Sequence, residues 1–490
     1  MNKRVLFYNL GSILLFNALF LVIPLLVGLA CRDEDSPYYA QQTQAFLITI
    51  IISLGLGLFL RKIFDSVGSM ALGIREGFGV VALGWVVIAL IGALPFYLSG
   101  IFPCFTDAFF ESMSGFTTTG SSVLKDIESL PHGILFWRSF TQWLGGMGII
   151  VLALAVLPAL GVGGYQLFRL ESSGSGAVGK LRPRFAETAR ILWGVYLVFT
   201  LLEILFLKLA GMSLFDGVCH AFTTVSTGGF STRNQNLAAF SSPYIHYIVL
   251  VFMFLSAWSF RLHYFIIKGK IKEVFKDPQL KPFILMCLIG IIFVGINLIT
   301  SSAQGPLNEK TVRDTCFQVV SVSTSTGFTT ADFNSWPDFT RICLLILMLI
   351  GGCAGSTAGA LKQVRFVVLI KVVICELRRF VRPNQVIPVK LGSVVIGRDA
   401  VRNILGFFLL YIGIFGVATL IMSALGLDFV SAIGAVIANI TNEGPGLGSV
   451  AADYALVPIL GKWVLIFCML AGRLEIFSVF LLLLPLTWKK

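Results

Sequence analysis

The stretch "STSTGFTT", Ser323–Thr330, decides the fold. Seven of its eight residues are hydroxyl-bearing or glycine, and it lies between two long apolar runs. Lipid leaves backbone polar groups unsatisfied, so a soft, uncharged loop at membrane depth must be buried in protein or line a watery cavity. Which of the two applies depends on whether the stretch has relatives elsewhere in the chain.

The apolar runs come first. Hydrophobic residues make up 56% of the 490 and charged residues 13%, with a mean hydropathy of +0.88. A soluble chain is about a quarter charged. Runs such as "YNLGSILLFNALFLVIPLLVGLA" and "ILWGVYLVFTLLEILFLKLAG" reach the roughly 20 residues that cross a bilayer as a helix. The chain reads as a polytopic, all-α membrane protein. The opening "MNKRVLFYNLGSILLF" has the charge of a signal peptide, but its apolar run is too long and lacks a small-residue cleavage site, so it reads as a retained first helix.

A net charge of +12 raises the question of nucleic acid, and the distribution of that charge argues against it. Lys and Arg gather in alternate loops: "RPRFAETAR", "KGKIKEVFKDPQLK", the stretch from Lys362 to Arg402, and the terminal "WKK". Loops such as "CRDEDSPYY" are acidic or mixed. That is the positive-inside bias, and it places both termini in the cytoplasm. The nine cysteines form no CxxC pair, so neither a disulfide framework nor a zinc site is indicated.

The opening stretch has three relatives. "DTCFQVVSVSTSTG" (Asp314 to Gly327) aligns with "DAFFESMSGFTTTG" (Asp107 to Gly120) and "DGVCHAFTTVSTGG" (Asp216 to Gly229) at identical spacing, and "SAIGAVIANITNEG" (Ser431 to Gly444) is a weaker fourth copy. Each opens on Asp or Ser, read here as a helix N-cap, and carries Ser or Thr three before the last glycine: Thr117, Ser226, Thr324 and Thr441. Each sits between two apolar runs. A half-helix of about ten residues is too short to cross and must dip in and return. Four such loops on one axis would line a pore with carbonyl and hydroxyl oxygens, the ligands of a dehydrated alkali cation. The inward C-terminal ends of four half-helices, each carrying about half a negative charge, favour a cation there.

These residues resemble the Trk/Ktr/HKT superfamily of potassium transporters, most closely its bacterial TrkH-type branch. The resemblance covers nearly the whole chain and rests on "SGFTTTGSS", "VSTGGFST", "STSTGFTT", "NEGPGLG", "GGCAGSTAGALKQVR" and "AGRLEIF". It implies four membrane–pore-loop–membrane repeats around one pore, at about 76–165, 185–270, 280–380 and 398–490, after an extra helix pair in 1–75. It implies filter glycines at Gly120, Gly229, Gly327 and Gly444, with potassium held by the carbonyls of Thr118, Thr119, Thr227, Gly228, Ser325, Thr326, Asn442 and Glu443. Some plant relatives with serine at the first glycine carry sodium; four glycines favour potassium. Glu443 departs from the family pattern, which expects an apolar residue. Its side chain should point behind the filter, where it needs a partner or a proton, and where a hydrogen bond could brace the loop.

By the same resemblance, Gly351, Gly352, Cys353, Ala354, Gly355, Ser356, Thr357, Ala358 and Gly359 form an intramembrane gate below the filter; close helix packing is the plainer reading. Arg473 should face the pore below the filter, unless it is paired with Glu475 or Glu443. The implied partners are a second copy of the chain, in a homodimer, and a cytoplasmic RCK-type nucleotide-binding subunit (TrkA-like). The basic stretch from Lys362 to Arg402 could dock that subunit or contact lipid headgroups. No cofactor is expected in the chain, with K+ as the transported ion, and the location is the bacterial inner membrane. "GSGAVGKL" (Gly174 to Leu181) imitates a phosphate loop, but Leu181 replaces the Ser or Thr that holds magnesium. Without an ATPase motif the driving force is electrochemical, by channel or by coupled symport. The rivals are a sodium or poorly selective cation pathway and, more remotely, an intramembrane hydrolase with Ser356 as nucleophile.

Overall fold

The computed structural model describes residues 1–490 except 32, 34–35, 66–73, 156–180, 302–307, 393 and 489–490. The phosphate-loop look-alike, up to Lys180, lies outside the described residues. Among those described, six helices are long and apolar enough to cross a membrane: Lys3–Cys31, Tyr39–Ile63, Glu76–Leu98, Ala189–Leu209, Leu280–Thr300 and Arg398–Ala424. Two bent pairs raise the number to as many as eight: Pro243–Ser256 with Phe260–Ile267, at 101°, and Ile459–Arg473 with Ile476–Leu483, at 117°. The first two helices pack closely because glycine meets glycine. A β-carbon on Gly11 would stand 2.9 Å from the Gly57 carbonyl oxygen.

One detail departs from an all-α chain. Lys390–Leu391 and Val394–Val395 pair as an antiparallel hairpin, turned by Gly392 at φ +60°. Two residues per strand are too few to show a period-two pattern in sequence.

Four short helices stand among the long ones: Phe105–Phe116, Leu214–Val225, Glu309–Ser323 and Phe429–Ile440. All four are buried along most of their length. The N-cap expectation is corrected. The caps are Cys104, Ser213, Asn308 and Asp428. The aligned Asp107, Asp216 and Ser431 sit at the third helical position, and Asp314 lies deeper, at the sixth, because the third helix starts three residues earlier relative to its loop. In the second helix the Ser213 hydroxyl accepts from the Asp216 N–H at 3.0 Å and donates to its carboxylate at 2.8 Å, a close relative of the capping box.

The aligned aspartates have a different task. The Thr232 hydroxyl donates to Asp216 Oδ1 at 2.6 Å and the Thr330 hydroxyl to Asp314 Oδ1 at 2.9 Å. Each bond ties a short helix to the chain that leaves its loop. In the first unit Val123 holds that register, and Asp107 instead pairs with Lys462 at 2.7 Å, joining the first unit to the last. The first unit is joined to the second by Arg138. It meets Glu111 at 2.6 Å, donates to the Ser231 carbonyl at 2.8 Å and stacks 3.7 Å from the Phe230 ring centre.

These ties give a test. Thr330→Val keeps the shape of the side chain and strips a hydrogen bond from a buried carboxylate, which costs roughly 1.5–3 kcal/mol. A clear fall in the thermal midpoint of the purified protein is expected; an unchanged midpoint would show the bond to be idle.

Candidate functional site

The four short helices end in the same way. In the first, the N–H groups of Thr117, Thr118 and Thr119 donate to Met113, Gly115 and Ser114. The pattern recurs at Ser226, Thr227 and Gly228, at Thr324, Ser325 and Thr326, and at Thr441, Asn442 and Glu443. This is a Schellman closure, which needs one residue in the left-handed region and normally uses glycine. Here that residue is Thr118 (φ +51°), Thr227 (+55°), Ser325 (+50°) or Asn442 (+56°). Such a conformation costs of order 1–3 kcal/mol at each site, so neighbours must hold it. Asn442 Nδ2 donates to Thr119 Oγ1 at 3.0 Å and to the Met469 carbonyl at 2.9 Å. The hydroxyls on either side pair at 2.7 Å in Thr117–Thr119 and in Thr324–Thr326.

The glycine that follows each closure also has positive φ: +88° at Gly120, +75° at Gly229, +79° at Gly327 and +100° at Gly444. Space is as restrictive as φ. A β-carbon on Gly120 would lie 2.2 Å from the Gly228 oxygen, on Gly229 2.0 Å from the Thr326 oxygen, and on Gly327 1.8 Å from the Glu443 oxygen. On Gly444 it would lie 2.7 Å from the Thr119 oxygen, which closes the circuit. Each glycine therefore seats the carbonyl of the next loop, and the fourth returns to the first. The ring is rich in uncharged oxygens. Thr117, Thr118, Thr119, Ser226, Thr227, Thr324, Ser325, Thr326 and Thr441 are fully buried, and Asn442 and Glu443 nearly so.

The second loop differs in its backing. Gly228 has no side chain, and the Gln142 amide fills the space, donating to the Gly228 oxygen at 2.7 Å and accepting from the Phe230 N–H at 3.1 Å. In the fourth loop Glu443 stands where the first and third have threonine. Its carboxyl is buried, and Oε2 has no hydrogen-bond partner among the described residues; the expected brace is not made through that oxygen.

Residues Gly351 to Lys362 run without helix between Asp338–Ile350 and Gln363–Val381, leaving the first at Gly351, φ +71°. This segment lies against the ends of the short helices. Thr357 Oγ1 donates to the Val225 carbonyl at 3.0 Å, the Gly359 N–H to Ser325 Oγ at 2.8 Å, and the Ala360 N–H to the Thr441 carbonyl at 3.0 Å. Gly359 is pressed so close that a β-carbon would stand 2.1 Å from the Thr441 oxygen. On its other side the Cys353 N–H donates to Ala257, the Ala354 N–H to Gln279 Oε1, and the Gly355 carbonyl accepts from Phe260. Ser356 Oγ donates to the Cys353 carbonyl at 2.6 Å. Its other side-chain bond is accepted from the Ala358 N–H, and among the described residues no histidine bonds Ser356, so the nucleophile reading has no support.

Arg473 ends the helix Ile459–Arg473 at the 117° bend. It donates to the Thr357 carbonyl at 2.7 Å and to the Gly145 carbonyl at 3.4 Å. The ion-pair alternative is corrected for both partners: Glu475 pairs with Arg365 instead, and among the described residues the acceptors of Arg473 are carbonyls and not Glu443. Lys362 grips the same segment at the Ala358 carbonyl. Two cations thus hold adjacent carbonyls of one buried loop.

Sequence reading missed Gln142, Lys362, the Arg365–Glu475 pair and the threonine–aspartate ties. Only the last left a signal, since Asp216–Thr232 and Asp314–Thr330 share one spacing.

The TrkH cation transport protein family model matches residues 41–487. The Trk system potassium uptake protein TrkH of Escherichia coli K12 is 40% identical over 501 residues, covering all of both chains. The Trk system potassium uptake protein TrkG of the same strain is 34% identical, covering 99% of each. The crystal structure of the potassium transporter TrkH from Vibrio parahaemolyticus superposes with a TM-score of 0.90 at 38% identity over the full length of both chains. The chain therefore belongs to the TrkH family of cation transport proteins, transporters rather than enzymes.

Proposed function

We infer that the chain takes up potassium through the ring of four loops. The observation that carries this reading is the closed circuit of glycine–carbonyl contacts from Gly120 to Gly444, an oxygen-lined constriction without a cationic side chain. The units 76–165, 185–270, 280–380 and 398–490 act as four membrane–pore–membrane repeats, with 1–75 as an added pair. The short helices present their C-terminal dipole ends beneath the ring and favour a cation there. Residues Gly351 to Gly359 form the gate, and Arg473 and Lys362 hold it shut. The full-length relatives named as Trk system potassium uptake proteins support potassium as the ion. They also support a bacterial inner-membrane location. A homodimer and a TrkA-like RCK-type regulator fit a "Trk system" subunit with an exposed basic surface at Arg378, Arg379 and Arg382. Both termini are on the cytoplasmic side in this reading.

Three variants test it in proteoliposomes. Gly120→Ser forces a side chain into the Gly228 oxygen and should lower the rubidium-to-sodium uptake ratio about tenfold, the effect of about 1.4 kcal/mol. An unchanged ratio in a folded variant removes Gly120 from the filter, and strong sodium competition in the parent protein would favour the sodium pathway instead.

Removing Gly355 to Thr357 should raise rubidium uptake per folded molecule if the segment is a plug. A packing motif would lose yield and gain no flux.

Arg473→Ala breaks two bonds to carbonyls and strands no carboxylate. Its cost should stay near the roughly 1.5–3 kcal/mol of charge-assisted hydrogen bonds, below the 3–5 kcal/mol typical of a broken buried ion pair. Uptake should rise with a modest fall in thermal midpoint; a large fall without added uptake would make the arginine purely structural.

A further inference from the structure

The helix Leu181–Leu209 turns one polar stripe inward: Tyr196, Thr200 and Glu203, then Leu207, are all buried. Glu203 is fully buried within a span, and neither carboxyl oxygen has a hydrogen-bond partner among the described residues. The Thr224 hydroxyl beside it already donates to the His220 carbonyl at 2.7 Å. A carboxyl left this way in a membrane protein is costly and is a functional candidate by default.

Among the described residues, no ion pair compensates it. From the short helix Leu214–Val225, Asp216 is engaged by Thr232 and Arg233, Cys219 is a buried thiol, and His220 faces the Asp216 carbonyl and Ser231. From Pro243–Ser256, His246 bonds the Leu237 carbonyl; from Phe260–Ile267, His263 bonds the Leu255 carbonyl, Arg261 pairs with Asp277, and Tyr264 lies against Lys268. From His132–Ala155, His132 pairs with Asp33 and Arg138 with Glu111.

The stripe leads toward the gate. Thr200 Oγ1 accepts from Trp143 Nε1 at 3.1 Å, and the Tyr196 hydroxyl donates to the Trp143 carbonyl at 3.0 Å. A β-carbon on Gly146 would stand 2.7 Å from that hydroxyl, and the adjoining Gly145 carbonyl is bound by Arg473. Tyr196 lies within electrostatic range of both Glu203 and Arg473. A carboxyl, a phenol and a guanidinium thus follow one another through the interior, ending on the loop from Gly351 to Gly359.

We propose that Glu203 is a proton-binding site whose occupancy is coupled, through Tyr196, to the hold of Arg473 on the gate. The carboxylate takes one proton from water and the carboxyl returns it; no other bond changes. The ionised form stabilises the guanidinium where it grips Thr357 and favours the shut state. The protonated form withdraws that support, so uptake rises as pH falls.

The inference rests on the gate reading, and the test separates the two. Rubidium uptake by the full chain in proteoliposomes is measured from about pH 5.5 to 8.5, across the range in which buried carboxyls titrate. The parent should gain between about threefold and tenfold toward acid pH, the reach of one charge at an effective dielectric of about 20. Glu203→Gln should be flat at the high, acid-like level, and Glu203→Asp should keep the dependence. Arg473→Ala, with Glu203 intact, should also be flat, which keeps the test open if Glu203→Gln does not fold. A flat parent profile, or a dependence that survives in Glu203→Gln or in Arg473→Ala, overturns the proton site. Failure of Arg473→Ala to raise uptake at neutral pH overturns the gate reading instead.

Discussion

The rest of the structure depends on contact between a glycine and a carbonyl oxygen, made four times around one circuit. Nothing larger than hydrogen fits at Gly120, Gly229, Gly327 or Gly444, because the neighbouring loop already occupies the space. The contact fixes the relation between units separated by about a hundred residues of sequence. It also explains why the strained closures at Thr118, Thr227, Ser325 and Asn442 persist. A left-handed non-glycine residue is tolerated where its surroundings over-determine it, and here each loop is held by the next.

The surrounding polar ties follow from the same constraint. A ring of uncharged oxygens has little cohesion of its own, so the units are joined from outside by Arg138 with Glu111 and by Lys462 with Asp107. Beneath the ring, buried non-helical backbone must have every group satisfied. The segment from Gly351 to Lys362 meets that demand by bonding directly to the loops above, through Thr357, Gly359 and Ala360. Its small residues are required by distance, as Gly359 against Thr441 shows.

Sequence made the ring legible and left its supports hidden, for a physical reason. The loops repeat, so Thr117, Ser226, Thr324 and Thr441 announce themselves by spacing, and all four prove to be the C-terminal caps of the short helices. The aligned aspartates were equally visible but misread. Position alone suggested a cap, whereas the partner, Thr232 or Thr330, lay sixteen residues on. Gln142, Lys362 and Arg365 occur once each and act across units. No periodicity marks a residue whose partner is chosen by tertiary packing. Arg473 was conspicuous as a charge in an apolar run, yet its acceptors are backbone carbonyls, which no sequence pattern can name.

That choice of acceptor bears on how the gate proposed at Gly351 to Gly359 would open. A cation paired to a carboxylate in lipid is hard to separate, since parting strands two charges in low dielectric. A cation bonded to carbonyls can exchange one neutral acceptor for another, or for water, and keep its own charge throughout. Arg473 and Lys362 both bind the loop in this second way, at Thr357 and Ala358. The firm ion pair, Arg365 with Glu475, joins the helix just past the loop to the bend just past Arg473. Charges fix the frame on either side of the loop, and charge–dipole contacts hold the loop within it. The proposed gate, a movable segment between rigid anchors, needs that division.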